Sequence, residues 1–160
     1  MEEILIVNEH SLPVHHENER EPYEYLKREV RPHHSKDQCY VALYEIPPQK
    51  MNYPYHYHMA VTEVFYILEG EGVLETPQGE RRVQKGDIVI CPPGEKSAHR
   101  MKNTSQNEPL RYLDVDTSAP ADVIHYPHTG KTGVIVSGVS TSFFSDDTQI
   151  PYYEKEPDGT

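Results

Sequence analysis

Residues 62–94, TEVFYILEGEGVLETPQGERRVQKGDIVICPPG, hold the reading that decides the fold. Thr62 to Leu68 is a β-branched and aromatic run that stops at the turn Glu69-Gly70. Val73 to Thr76 ends at Pro77-Gln78-Gly79, Arg81 to Gln84 ends at Lys85-Gly86, and Asp87 to Cys91 is halted by Pro92-Pro93-Gly94. Short runs of strand-forming residues between glycine and proline punctuation read as antiparallel strands joined by tight turns. Outward from this stretch, Cys39 to Ile46 alternates and stops at Pro47-Pro48, while Ala98 to Lys102 and Leu110 to Asp116 continue the series. The spacing predicts an all-β chain, an antiparallel double-sheet β-barrel with strands near 40–46, 62–68, 71–76, 81–84, 87–91, 98–102 and 110–116.

The flanks read differently. Residues 1–38 form an N-terminal arm, rich in charge and histidine and broken by Pro13, Pro22 and Pro32. Within it, Glu21 to Val30 is expected to make one or two short helical turns, with Pro22 at the start and Pro32 at the end. The arm is expected to drape over the barrel or a neighbouring subunit. Residues 39–118 are the barrel core, and 119–160 a C-terminal extension packing on it, with one strand over Gly133 to Val136.

Composition narrows the functional classes. The 160 residues suit one domain with a real core. Fifteen basic against 26 acidic residues give a net charge of −11, which argues against nucleic acid, whose phosphates demand clustered positive charge. No apolar run approaches a membrane span. The acidic start and the short run Ile4-Leu5-Ile6-Val7 do not make a signal peptide, so the expected location is cytoplasmic. Cys39 and Cys91, the only cysteines, read as buried free thiols.

The chemistry lies in Tyr55-His56-Tyr57-His58-Met59-Ala60-Val61-Thr62-Glu63. Side chains alternate across a strand, so His56 and His58 share a face and both imidazoles can approach one point. Glu63 opens the next strand on the face it shares with Phe65 and Ile67, where a carboxylate is costly unless it is paired or bound to metal. His99 shares a face with Met101 on a third strand. By contrast, the adjacent pairs His15-His16 and His33-His34 point opposite ways in the arm and read as solvated. Tyr44, Phe65, Ile67, Met101 and Tyr112 alternate so as to line the barrel interior. The hydroxyls of Tyr53, Tyr55 and Tyr57 flank the histidines. His125-Tyr126-Pro127-His128-Thr129-Gly130-Lys131 is either a surface loop or a cover over the opening.

These offsets resemble the cupin family, whose jelly-roll barrels carry a His-x-His pair, a Glu, a Gly, a Gly-x5-Pro-x-Gly segment, a third His and an Asn. This chain has His56, His58, Glu63 and Gly70, then Gly86, Pro92, Gly94, His99 and Asn103. It departs at Lys50, where a glycine is usual, and in the longer loop Glu95 to Ala98, which is expected either to shift His99 slightly or to bulge. The resemblance implies one divalent transition-metal ion (Fe, Mn, Ni, Co or Zn) held by His56, His58, Glu63 and His99. Three imidazoles and one carboxylate leave open positions for a small organic molecule. The leading expectation is a metal-dependent, dioxygenase-type oxidoreductase. Alternatives are a non-catalytic small-molecule binder or sensor, and an isomerase or epimerase. The sequence assigns no catalytic residue. Exposed barrel edges and the arm point to a homodimer.

Overall fold

The computed structural model describes residues 4–31 and 38–154; His33-His34 and Pro32 lie outside them. The described residues form strands β1 (His15–Arg20), β2 (Tyr23–Arg31), β3 (Cys39–Ile46), β4 (Tyr57–His58), β5 (Glu63–Glu69), β6 (Glu71–Thr76), β7 (Gly79–Gln84), β8 (Ile88–Cys91), β9 (Arg100–Lys102), β10 (Leu110–Thr117), β11 (Ala121–Tyr126), β12 (Lys131–Val136) and β13 (Ser140–Ser145). Helix among them is confined to single 3-10 turns at Glu9–Ser11, Glu95–Ser97 and Asp146–Thr148. All seven strands expected over residues 39–118 are present, with ends displaced by a residue or two.

One sheet has the antiparallel order β1-β2-β3-β10-β5-β8. Facing it are two smaller ladders, β13-β12-β11-β4 and β7-β6-β9. These join at a single bridge: the His56 amide donates to the His99 carbonyl at 3.0 Å, and the His99 amide donates back at 2.8 Å. The bridge ties the two ladders into one face, so the architecture is the expected double-sheet jelly roll, with both hydrogen-bonded faces open-edged.

The core follows from alternation. In β3 and β10 every second residue is buried, which sends Tyr40, Ala42, Tyr44 and Ile46 inward beside Leu110, Tyr112, Asp114 and Asp116. Phe65 and Ile67 of β5 join them, and Leu74, Val83 and Met101 close the core from the facing ladder. Close packing of such side chains is the main source of stability. Gly70 makes the β5–β6 turn possible: its φ is +79°, and a Cβ there would lie 2.2 Å from the Pro109 carbonyl oxygen.

The arm is corrected by the structure. Glu21 to Val30 is not helical; Tyr23–Arg31 pairs antiparallel with β3 and is itself covered by β1. The reason is tertiary. Period-two alternation turns the Tyr25 ring inward, 5.6 Å from Tyr44 and 4.9 Å from Tyr53 (ring centroids), and pairing satisfies the free edge of β3. The helical turn that does occur in the arm is Glu9–Ser11, capped by the Asn8 side chain accepting from the His10 amide. His15 and His16 are exposed, and His16 reaches Glu24 at 3.0 Å. The C-terminal extension supplies β11, β12 and β13; β11 pairs with β4, which places it beside the histidines.

Candidate metal centre

Local structure brings His56, His58 and Glu63 into one group and sets His99 against Glu63, outside that group. His56 and His58 flank one residue in the extended segment that leads into β4, so their rings project to one side, 5.2 Å apart. The backbone bridge to His56 brings the His99 ring within 4.9 Å of the His56 ring. Glu63 projects from β5 in the opposite sheet. Its Oε1 lies 3.7 Å from Nε2 of His56 and 3.7 Å from Nε2 of His58, and its Oε2 lies 3.2 Å from Nε2 of His99. The ligand atoms of His56, His58 and Glu63 fall within 4.8 Å of one another, a grouping that can hold a metal ion. His56, Glu63 and His99 are buried and His58 is half-buried.

The other ring nitrogens fix the tautomers. His56 Nδ1 donates to the Pro54 carbonyl at 2.8 Å, and His99 Nδ1 donates to the Ser97 carbonyl at 2.9 Å. His58 Nδ1 donates to Oδ2 of Asp122 at 2.5 Å. A carbonyl only accepts, so the proton sits on Nδ1 and the Nε2 lone pair faces inward. Three imidazole lone pairs therefore converge on a carboxylate, the donor set that a divalent first-row ion takes. The long loop before His99 is absorbed by the Glu95–Ser97 turn, which presents the Ser97 carbonyl to the ring.

The family described as "Cupin domain" matches residues 42–116. That match spans just under half of the chain. An uncharacterized protein of Methanocaldococcus jannaschii is 38% identical over 58 residues, which cover 36% of this chain and 44% of that relative's length. Among solved structures, a sugar phosphate isomerase of the cupin superfamily from Silicibacter pomeroyi superposes with a TM-score of 0.77 at 20% identity, covering 90% of this chain and 94% of that one. A predicted oxalate decarboxylase from Thermotoga maritima has a TM-score of 0.62 at 21% identity, covering 72% of this chain and 100% of that one. At such identities the superpositions establish the fold.

His56, His58 and Glu63 open onto a cavity of about 220 Å³ between the two sheets, which His99 does not line. Its wall includes Tyr40, Tyr44, Tyr53, Ile124, Tyr126 and Ile135, with Lys27 and Glu29 from β2. Of the residues expected to line it, Tyr44 does. Phe65, Ile67, Met101 and Tyr112 are packed into the core beside it, because the inner face of the sheet is filled by rings at this level. Phe65 lies 5.5 Å from the His99 ring and 5.5 Å from Tyr112, and so supports the site from behind. Tyr53 reaches the cavity and its hydroxyl pairs with that of Tyr44 at 2.9 Å, whereas Tyr55 stacks on His128 and Tyr57 lies against His125. The 125–131 segment is the β11–β12 turn, and from it Tyr126 stacks on His56 with ring centroids 5.8 Å apart.

The electrostatics are those of a crowded ion cluster. Burial opposes the charge on Glu63, but the nearby His56, His99 and His58 outweigh it and pull the carboxyl down to about 2. Burial pushes His99 below its ordinary value. Burial also opposes the charge on His58, yet Asp122 and Glu63 win and raise it. Across the cavity, Asp114 and Asp116 share a hydrogen bond. Burial, Asp116 and Glu63 hold Asp114 well above the carboxylate range, while burial and Glu63 lift Asp116 to about 7.

Sequence reasoning missed Asp122, Asp114 and Asp116. The last two carried a legible signal, since acids on the inward face of Leu110–Thr117 pose the problem that singled out Glu63. Asp122 carried none, because only the β11–β4 pairing sets it beside His58.

Proposed function

We propose that this chain binds one divalent transition-metal ion through His56, His58, Glu63 and His99 and acts with it on a small organic molecule, as a dioxygenase-type oxidoreductase. The observation that supports it most is the set of three Nε2 lone pairs, each aimed by an outward Nδ1–H bond, around one buried carboxylate. A bound ion of this kind supplies Lewis acidity and, for iron or manganese, one-electron chemistry with dioxygen. The chain's own residues do the rest. Asp122 and the Pro54 and Ser97 carbonyls hold the rings in place, while Ile124, Ile135 and Tyr126 give the cavity an apolar wall.

The test is the metal retained by tag-free protein, together with oxygen uptake by that protein against a panel of small keto, hydroxy and thiol compounds. Iron with substrate-dependent uptake is the expected result. Tightly held zinc with no uptake from any compound contradicts it.

A proton-transfer isomerase is the second reading. What favours it is the hydrogen-bonded Asp114–Asp116 pair facing the histidines, and it gains company from the isomerase name of the Silicibacter structure. Such an enzyme turns over without oxygen.

The chain works as a homodimer in this account. Tyr66, Ile88 and Ile90 are exposed at the β8 edge of the large sheet, and Ile4 and Ile6 are exposed near the start of the chain. Sedimentation at tens of micromolar (~10⁻⁵ M, where weak contacts form) should give twice 18.5 kDa; a monomer alone contradicts it. The partner is a small molecule. No helix among the described residues is long and apolar enough to cross a membrane.

A further inference from the structure

A groove of about 540 Å³ lies at the open seam between the two sheets, where β8 ends the large sheet and β7 ends its ladder. Neither edge has a further partner strand among the described residues. Ile88 and Ile90 of β8, 66% and 64% exposed, stand in register with Tyr66 and Val64 on the outer face. An unpaired edge that carries exposed apolar side chains is a template for another strand. The groove beside it is walled by Leu74, Val83 and Pro93, and Cys91 and His99 also line it.

The same chain holds a strand-forming segment that pairs with nothing among the described residues. Ile4, Leu5, Ile6 and Val7 are all exposed, Ile4 and Ile6 at 92% and 89%, and they belong to no sheet. A single chain therefore leaves an apolar segment and an apolar edge both in water. Charge matches the two. The chain carries a net −11, yet the groove wall holds Arg81, Arg82 and Lys96 against one acid, Asp87. Arg82 is taken by Glu71, whereas Arg81 and Lys96 make no ion pair among the described residues. Glu2-Glu3 immediately precede Ile4 in the sequence. Lys96 follows the C-terminal end of β8, so a segment running antiparallel to β8 brings Glu2-Glu3 to the cations and lays Ile4 to Val7 along the strand. Arg111 donates to Glu9 at 2.7 Å and pins the root of the arm to its own sheet, leaving the residues before it to reach across.

We infer that residues 2–7 of one copy add as an antiparallel strand to the β8 edge of a second copy, reciprocally, with Glu2 and Glu3 beside Lys96 and Arg81. This rests on the homodimer reading above and names the surfaces that make it. Alternation then sets Ile4 and Ile6 on one face with Ile88 and Ile90, and turns Leu5 and Val7 toward the groove. Because His99 and Cys91 line that groove, each copy's arm walls its partner's metal centre on the seam side.

Sedimentation of full-length chains at low salt, where surface charges are least screened, tests this. Wild type should be a dimer at tens of micromolar (~10⁻⁵ M). The double variant Ile4→Asp, Ile6→Asp should weaken association about 100-fold. Its circular-dichroism spectrum should stay that of wild type, because both side chains are exposed in the single chain. Arg81→Glu with Lys96→Glu, and separately Glu2→Lys with Glu3→Lys, should each weaken association about tenfold. In an equimolar mixture of these two charge variants every arm meets a complementary groove on the other chain, so a heterodimer of wild-type strength should form. A mixture no tighter than either variant alone overturns the exchange, and is the result expected if each arm lies in its own chain's groove. A dimer that survives Ile4→Asp, Ile6→Asp also overturns it and leaves the homodimer standing. A wild-type monomer overturns the homodimer and this inference with it.

Discussion

Asp122→Asn probes the support behind the metal cluster. The Asp122 carboxylate does two jobs: Oδ2 accepts from His58 Nδ1 at 2.5 Å, and Oδ1 accepts from the amides of Met59 at 3.1 Å and Ala60 at 2.8 Å. Asparagine has one acceptor and cannot do both. If its oxygen keeps the two amides, its NH2 confronts His58 Nδ1–H; the ring must then move its proton to Nε2, where it blocks the ligand lone pair. If the amide flips, the Ala60 N–H loses its acceptor and the Met59 N–H keeps only the Val123 carbonyl. Either way the loss is about one charge-assisted hydrogen bond, roughly 1.5–3 kcal/mol. Replacing an outer partner of a ligating histidine typically costs about 10–100-fold in affinity, the same range. A competition titration of cobalt(II) against a chromophoric chelator at pH 7.5 reads this directly, with circular dichroism confirming the fold. Affinity within twofold of wild type would refute the claim that Asp122 orients His58.

Other consequences are simpler to check. Gly70→Ala should destabilise the protein in urea by at least ~1–3 kcal/mol, because alanine must adopt a positive φ and its Cβ meets the Pro109 carbonyl; an unchanged midpoint contradicts that reading. Glu75 bridges β6 and β9, with Arg100 Nε at 2.9 Å and Lys102 Nζ at 3.0 Å. Burial opposes its charge, yet Arg100 and Lys102 hold its carboxyl below the ordinary value of 4.5. A depressed carboxyl contributes stability at pH above 4.5 that is lost as the pH falls further, so Glu75→Gln should narrow the gap in melting temperature between pH 7 and pH 3. An unchanged gap would show the bridge to be without net effect.

Much of this was legible in the chain. The strands of residues 39–118 announce themselves by punctuation, because turns need glycine and proline where strands cannot use them. Alternation puts His56 and His58 on one face and Glu63 on an inner face, and the glycine and proline punctuation at fixed offsets singles them out together with His99. The rest depended on contacts distant in sequence. Tyr23–Arg31 looks helical or irregular until the free edge of β3 and the Tyr44 and Tyr53 rings are there to receive it. Asp122 acquires meaning only through the pairing of Ile124 with His58. The cavity is smaller than the list of inward-facing residues implies, because Ile67, Met101 and Tyr112 face inward at a depth where side chains already fill the space. The acids at Asp114 and Asp116 were readable, and the argument applied to Glu63 extends to them unchanged.

The central claim is that one ion sits among His56, His58, Glu63 and His99. The most direct measurement is metal stoichiometry, by elemental analysis of tag-free wild-type, His58→Ala and His128→Ala proteins loaded with cobalt(II) and desalted. His128 is exposed and stacks on Tyr55, away from the converging Nε2 atoms, so its loss should leave one metal per chain, as in wild type. His58→Ala should remain folded and lose stoichiometric metal. Full metal in the His58 variant, with metal lost from the His128 variant, would place the ion elsewhere and contradict the account.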